Sequence, residues 1–523
     1  MILYARLLRS YPFESDDFQW VYQRIPGYFD ALRDGQFPPR IFPNAFDGGG
    51  YAFAHFYPPI SHWVATGFAA LTGSPVWGVH LSFYASVVLA SVAMFRLGRA
   101  LTGSALLGAV AAVIYTALPY HIVDVYLRGA LAESWSFVWF PLIVHAGVSS
   151  VRAGRVTWVF PLAVAGLILT HTLIALYFAC ALGLALLWVC SCYGYGVALR
   201  LLAGGIVGAS LSLWYILPTQ AMLEGVWASV PELMQTSEEA VRRAAPRPGS
   251  AFFLLDLPPW FMVFVALKVL IQERRALAWE SIRDVAGLLL LALGFSVYAY
   301  LPGLYQWLLP SIFAYVQFPW RVFAITGFLC TLLAILLARA VGGTRLPVFF
   351  LVAACSIALP YAIRMGGGER PVDGRQVAYH ADGATTYTVV GDYLPRPILL
   401  PQALEALQQV RSEAASIGVV FDRNRGAIRA HGPRGGTEVV FPLFHYPLYR
   451  AETKQGQPLT VLNRGGFVAV QFPDGSDSVV IRVSNPRTFW WGLALGVATS
   501  LFWCVLVRRE KVWKDRSALS RGS

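Results

Sequence analysis

The sequence predicts an α-helical polytopic membrane protein of about eleven transmembrane helices, carrying a small β-rich extracytoplasmic domain. Three observations carry that prediction. Of 523 residues, 56% are hydrophobic and 13% charged, far too apolar for a soluble domain. Apolar runs near transmembrane length alternate with short loops holding arginine. Between positions 364 and 487 these runs give way to segments that alternate in steps of two.

The net charge of +12 is spread between apolar segments, where cytoplasmic loops need it, and reads as topology; no nucleic-acid partner follows. All six cysteines (Cys180, Cys190, Cys192, Cys330, Cys355 and Cys504) lie in apolar runs, where a thiol packs as a small hydrophobe. Neither a disulfide framework nor a zinc site is implied.

Four parts follow along the chain: 1–57, an N-terminal segment and first outer loop; 58–363, the multi-span domain; 364–487, the β-rich domain; and 488–523, a last span with a basic tail. Met1 to Phe13 is too short and too basic to span, and lacks the apolar centre and cleavage site of a signal peptide. Asp30 to Gly35 reads as a short helix ending at glycine. Ile60 to Leu71, after Pro58-Pro59, is too short to cross and reads as an interfacial helix anchored by Trp63. The spans are Val76 to Leu97, Ala105 to Tyr120, Ser134 to Val148, Trp158 to Thr170, His171 to Val189, Val197 to Leu217, Trp260 to Ile271, Val285 to Tyr300, Val322 to Ala338, Leu346 to Ile363 and Phe489 to Val507. Phe467 to Phe472 and Val479 to Val483 read as strands around the turn signal Pro473-Asp474-Gly475.

One orientation places Arg96, Arg99, Arg152, Arg155, Arg200, Arg274, Arg275, Arg339, Arg345 and the basic tail on the cytoplasmic side of the plasma membrane. Loop 14–57 and the β-rich domain then lie outside, over a cavity mouth. Such an arrangement needs a helix ahead of the loop, so the sequence is expected to lack its natural first span.

Chemistry concentrates on that outer side. Asp16 and Asp17 precede an aromatic amphipathic stretch; one can act as a general base or the pair can hold a divalent cation, or they simply cap a helix. Arg128 and Glu133 flank Gly129, as a lipid-phosphate ligand with an acid assisting at a sugar or metal, or as a structural ion pair. His55, Tyr57, His121 and His171 are candidate substrate ligands or packing residues, and Arg321 binds a phosphate or snorkels to head groups. Gly48-Gly49-Gly50 is a weak candidate phosphate cradle. The metalloprotease, P-loop and serine-hydrolase motifs do not occur.

The motifs Phe56-Tyr57-Pro58-Pro59-Ile60, Pro119-Tyr120, Tyr126 to Glu133, Gln317-Phe318-Pro319-Trp320-Arg321 and Gly391 to Pro395 resemble bacterial membrane proteins labelled 6-pyruvoyl-tetrahydropterin synthase-related. That family is itself similar to GT-C glycosyltransferases. The resemblance implies transfer of a sugar from a polyprenyl-phosphate carrier, embedded in membrane lipid, to an envelope glycan, lipid or protein acceptor, with Asp16 or Asp17 as the outer-loop acid. A non-catalytic polyprenyl-lipid binder, transporter or envelope-assembly protein on the same scaffold is the alternative.

Overall fold

The computed structural model describes residues 2–9, 15–230, 279–303, 318–341 and 392–519, apart from breaks at 425, 433–435 and 475–477, together with 352 and scattered positions between 261 and 272. The expected spans Trp260 to Ile271 and Leu346 to Ile363 therefore lie wholly or largely outside the described residues, as do Arg274, Arg275 and Arg345.

The first outer loop is built on helix α1, Phe18–Arg33, of which the expected short helix is only the last turn. Gly35, in the left-handed region at φ 77°, follows its end. Helix α2, Ile60–Thr72, is the expected short helix after the double proline. Trp63 packs sideways against Trp214 at 6.0 Å between ring centroids.

Helix α3, Pro75–Thr102, starts at Ser74, whose hydroxyl accepts the Trp77 N–H, and ends at left-handed Gly103. Ser104 caps α4, Ala105–Thr116, in the same way. A Cβ on Gly108 would stand 2.8 Å from the Phe95 carbonyl oxygen, so glycine there lets α3 and α4 close up. After α4 the chain bends by 49° into α5, Pro119–Val123, which runs on as one wide π-type turn, Asp124–Arg128. The sequence places Arg128 at the entrance to a membrane helix, between the expected spans Ala105 to Tyr120 and Ser134 to Val148; the structure keeps it helical and buried.

The remaining membrane helices are α6, Leu131–Ala153; α7, Val159–Ile168; α8, Thr172–Tyr193; α9, Tyr195–Ser210; α10, Leu213–Leu223; α11, Trp279–Tyr300; and α12, Phe323–Val341. Among the described residues six helices are long and apolar enough to cross a membrane, or eight if the bent pairs α4–α5 and α9–α10 each count as one span. The expected span Trp158 to Thr170 is only the ten residues of α7. At about 1.5 Å per residue it reaches half-way through a bilayer core.

Helix α13, Ala403–Ser416, precedes a β-domain of two antiparallel sheets. The strands are β1 Val420–Asn424, β2 Ala427–His431, β3 Glu438–Phe444, β4 Tyr449–Thr453, β5 Pro458–Leu459, β6 Val461–Arg464, β7 Phe467–Gln471 and β8 Ser478–Val483. One sheet has the order β1-β2-β8-β4-β5, the other β3-β7-β6. The two strands read from sequence, β7 and β8, thus belong to different sheets, and the turn signal between them marks a crossover. Helix α14, Arg487–Leu519, returns to the membrane.

Two cores explain the assembly. The larger fills the space between membrane helices, with Phe83, Tyr115, Phe137, Phe140 and Phe328 at its centre. The second joins the first loop to the β-domain: Tyr28, Phe42, Phe46 and Phe53 pack with Leu407, Phe444 and Tyr446. At the opposite end of the helices Arg200 donates to the Gly154 carbonyl at 2.9 Å and Arg339 to that of Leu101 at 2.5 Å, while Arg96 and Arg152 both act on His145. The loop arginines therefore gather at one end of the bundle and the polar first loop at the other.

Candidate functional site

The site grows from the π-type turn. Asp124 and Arg128 sit four residues apart, and the Arg128 Nη1 donates to Asp124 Oδ1 at 2.5 Å. Gly129, left-handed at φ 64°, reverses the chain into α6 and brings round Glu133, whose Oε2 accepts from the same Nη1 at 2.6 Å. Tyr120 donates to Glu133 Oε1 and accepts from Arg128 at 3.3 Å. The guanidinium lies 4.4 Å from the Trp320 ring centroid, and Arg321, in the short turn that leads into α12, brings its Nε to 3.5 Å from Glu133 Oε2. Asp124, Arg128 and Glu133 are 0%, 5% and 1% exposed, so these charges face one another instead of water.

The first loop closes on this cluster through its backbone. The Asp16 N–H donates to the Leu127 carbonyl at 2.9 Å and the Asp17 N–H to that of Arg128 at 2.8 Å. Glycine is required at 129 for that approach, because a Cβ there would stand 2.3 Å from the Ser15 hydroxyl oxygen and 2.9 Å from the Phe18 ring. Asp17 does occupy the N-cap position of α1, but its side chain makes no capping bond; the Ser15 hydroxyl accepts from the Phe18 N–H instead. The Asp17 carboxylate is not spent on the helix. Partial desolvation, then the neighbouring Asp17, raises the Asp16 carboxyl above its ordinary range, and Arg128 opposes them.

Tyr57 shows how far the convergence extends. Burial pushes its hydroxyl up, Arg24 and Arg321 pull it down, and Asp17 and Glu133 push it up again. Four charges from three parts of the chain thus act on one hydroxyl. His171 joins from the α7–α8 turn, under the charges of Arg321, Glu133 and Arg128. Its Nδ1 also accepts the Ile174 N–H at 3.3 Å, so it caps α8 while bordering the site.

Two candidate histidines lie elsewhere. His121 is fully buried, stacked on Phe137 at 4.1 Å with rings 3° from parallel, and its Nδ1 faces the Tyr115 carbonyl at 3.4 Å. It is a packing residue of the membrane core. His55 bridges Arg40 at 3.3 Å and the Pro218 carbonyl at 3.2 Å, tying the loop to α10; desolvation first, then Arg40, lowers it to about 3, so it stays neutral there.

Glu133 lies inside the charge cluster. Both of its oxygens are engaged, by Tyr120, Arg128 and, at 3.5 Å, Arg321, which is the geometry of the structural ion-pair alternative to an acid assisting at a sugar or metal. The glycine triplet is no phosphate cradle: the N–H groups of Gly48, Gly49 and Gly50 bond to Asn44, Phe46 and Ala45 within the loop. Its carbonyls meet the β-domain, Gly49 accepting from the Phe444 N–H at 2.9 Å.

Sequence reading missed Asp124, Tyr120 as a ligand of Glu133, and Arg24. The acid-to-arginine spacing of four in Asp124–Arg128 was a visible signal for the first. Among the described residues no three His, Cys, Asp or Glu side chains gather as a metal site. Asp16 and Asp17 would supply two carboxylates to a cation whose remaining ligands came from substrate.

No protein-family model matches the chain. Over 204 residues it is 26% identical to an uncharacterized protein of Lactococcus lactis subsp. cremoris (strain MG1363), covering 36% of this chain and 32% of that protein. The chain thus spans about a third of the length of this curated relative. Among solved structures, ArnT from Cupriavidus metallidurans bound to undecaprenyl phosphate is similar with a TM-score of 0.31 and 13% identity, over 90% of this chain and 96% of that one.

Proposed function

We propose that the protein is an integral membrane glycosyltransferase of the hexosyltransferase type, moving a sugar from a polyprenyl-phosphate carrier to a cell-envelope acceptor on the outer face of the plasma membrane. The observation that carries this reading is the meeting of unspent acid and partly free cation: Asp17 and Arg321 both act on the Tyr57 hydroxyl, at a loop pinned by backbone to the Arg128 turn. An acid and an arginine whose charges both reach one tyrosine hydroxyl suit a reaction that removes a proton and develops negative charge within one site.

In the proposed step Asp17 or Asp16 takes the proton of an acceptor hydroxyl. The acceptor oxygen bonds to the anomeric carbon as the bond from that carbon to the carrier phosphate breaks, and the electron pair leaves on the phosphate oxygen beside Arg321. Displacement from the opposite side inverts the anomeric configuration. Arg128 is held by Asp124 and Glu133 and serves to set the turn. A divalent cation, if the reaction uses one, would be held by Asp16 and Asp17, where it would orient and acidify the acceptor hydroxyl.

The test is sugar transfer from a short-chain prenyl-phosphate sugar in membranes holding Asp16→Asn, Asp17→Asn or both. The double variant should insert and express as the parent does and lose transfer, with a larger share of the loss from Asp17→Asn. Full transfer in the double variant removes the general base. Prenyl-phosphate binding by the parent protein without transfer to any acceptor would favour the non-catalytic lipid binder.

A further inference from the structure

We infer that Arg24 is a second phosphate-binding cation, forming with Arg321 a two-arginine clamp for the lipid phosphate, so that α1 carries both the proton acceptor and half of the leaving-group seat. This deepens the transferase reading and rests on it for the identity of the anion.

The case begins with which cations are free. Arg128 is fully engaged by Asp124, Glu133 and Tyr120 and is 5% exposed. Arg321 has one carboxylate at 3.5 Å, a side chain 14% exposed, and an Nε buried without a hydrogen-bond partner. Arg24 stands the same way: its Nε is buried without a partner, and among the described residues no carboxylate lies within ion-pair distance. Its guanidinium carbon rests 4.1 Å from the Phe53 ring centroid and 5.7 Å from that of Tyr57. Aromatic faces hold a cation in place but leave its in-plane N–H groups unused. Two arginines from different parts of the chain thus keep unused donors, Arg24 beside the Tyr57 ring and Arg321 beside Glu133, and the charges of both reach the Tyr57 hydroxyl.

Spacing supplies the second argument. Asp17 stands at the N-cap of α1 and Arg24 seven positions on, two turns and the same face, or about 10.5 Å along the axis. A rigid helix thereby fixes the separation between the group that takes the proton and the group that receives the leaving phosphate. An acceptor hydroxyl, a reacting carbon and a phosphate lined up between them would span an interval of that order.

Charge supplies the third. A sugar-linked prenyl phosphate is a phosphodiester with one negative charge; the released phosphate monoester approaches two, since its second pKa is about 6. Two guanidiniums, one without a carboxylate partner among the described residues and one with a single carboxylate at 3.5 Å, match the product of bond cleavage better than the substrate, which is the direction that favours the chemical step. The clamp is therefore expected to prefer a prenyl monophosphate over inorganic phosphate, whose lack of a tail forfeits the membrane contacts.

Farnesyl phosphate and inorganic phosphate are the probes, titrated onto the full-length protein in lipid nanodiscs. Arg24→Gln should weaken farnesyl phosphate by about tenfold or more, and Arg24→Lys by less, because lysine keeps the charge and loses the fork. Unchanged farnesyl phosphate affinity in Arg24→Gln overturns the clamp; equal affinity for inorganic phosphate overturns its assignment to a lipid. Should Arg24→Gln fail to fold, phenylglyoxal labelling of the parent protein serves: farnesyl phosphate should shield Arg24, and undiminished labelling under saturating ligand sinks the proposal. The two readings fail separately. Binding through Arg24 without sugar transfer removes the transferase and leaves the clamp, whereas transfer with parental kinetics in Arg24→Gln removes the clamp and leaves the transferase.

Discussion

Replacing Glu133 with glutamine tests the charge cluster most directly. The carboxylate is 1% exposed and accepts from Tyr120 on one oxygen and from Arg128, at 2.6 Å, on the other, with Arg321 at 3.5 Å. Removing one member of a buried ion pair costs about 3–5 kcal/mol, because the partner charge stays desolvated. Arg128 keeps Asp124 at 2.5 Å, which places Glu133→Gln at the lower end, about 3 kcal/mol. The same reasoning predicts that Asp124→Leu, Arg128→Met and Glu133→Leu together cost less than Glu133→Gln alone, since the three most buried charges are then gone and only Arg321, at 14% exposure, is left without its carboxylate. Reversible unfolding in mixed micelles, read for both variants under one condition, measures the comparison. A Glu133→Gln protein within about 0.5 kcal/mol of the parent, or a triple variant less stable than the single one, would refute the buried-pair account.

Two further outcomes follow from the geometry. Gly129→Ala forces a Cβ to 2.3 Å from the Ser15 oxygen in a left-handed backbone, so it should destabilise by about 2–4 kcal/mol and displace Asp16 and Asp17 from the Arg128 turn; intact stability and transfer would contradict the close approach. Lys454→Cys, at an exposed turn of the β-domain in an otherwise cysteine-free chain, should react with a membrane-impermeant maleimide in intact cells, and labelling confined to lysed cells would reverse the proposed sidedness.

Membrane helices were legible in the sequence because spanning depends on local composition: a window of about 20 apolar residues must satisfy its own backbone whatever surrounds it. Pro75–Thr102, Leu131–Ala153, Thr172–Tyr193 and Arg487–Val507 therefore coincide with runs visible by inspection. The strands β7 and β8 were legible for a similarly local reason, as short runs rich in β-branched residues beside a turn signal, although each is buried over four consecutive residues and does not alternate as expected. Their assignment to different sheets was not, because pairing depends on partners distant in sequence. The candidate acids and arginines could be named, but not sorted. His121 and His171 look alike in sequence, and only packing shows one stacked on Phe137 and the other under the charge of Arg321. Arg24 carries no motif and gains its meaning from Phe53 and Tyr57. Burial made the final division: Arg128 and Arg321 are both arginines beside membrane helices, yet tertiary structure surrounds one with two carboxylates and leaves the other with donors unspent, and in a low-dielectric interior that difference separates a structural charge from one able to bind a ligand.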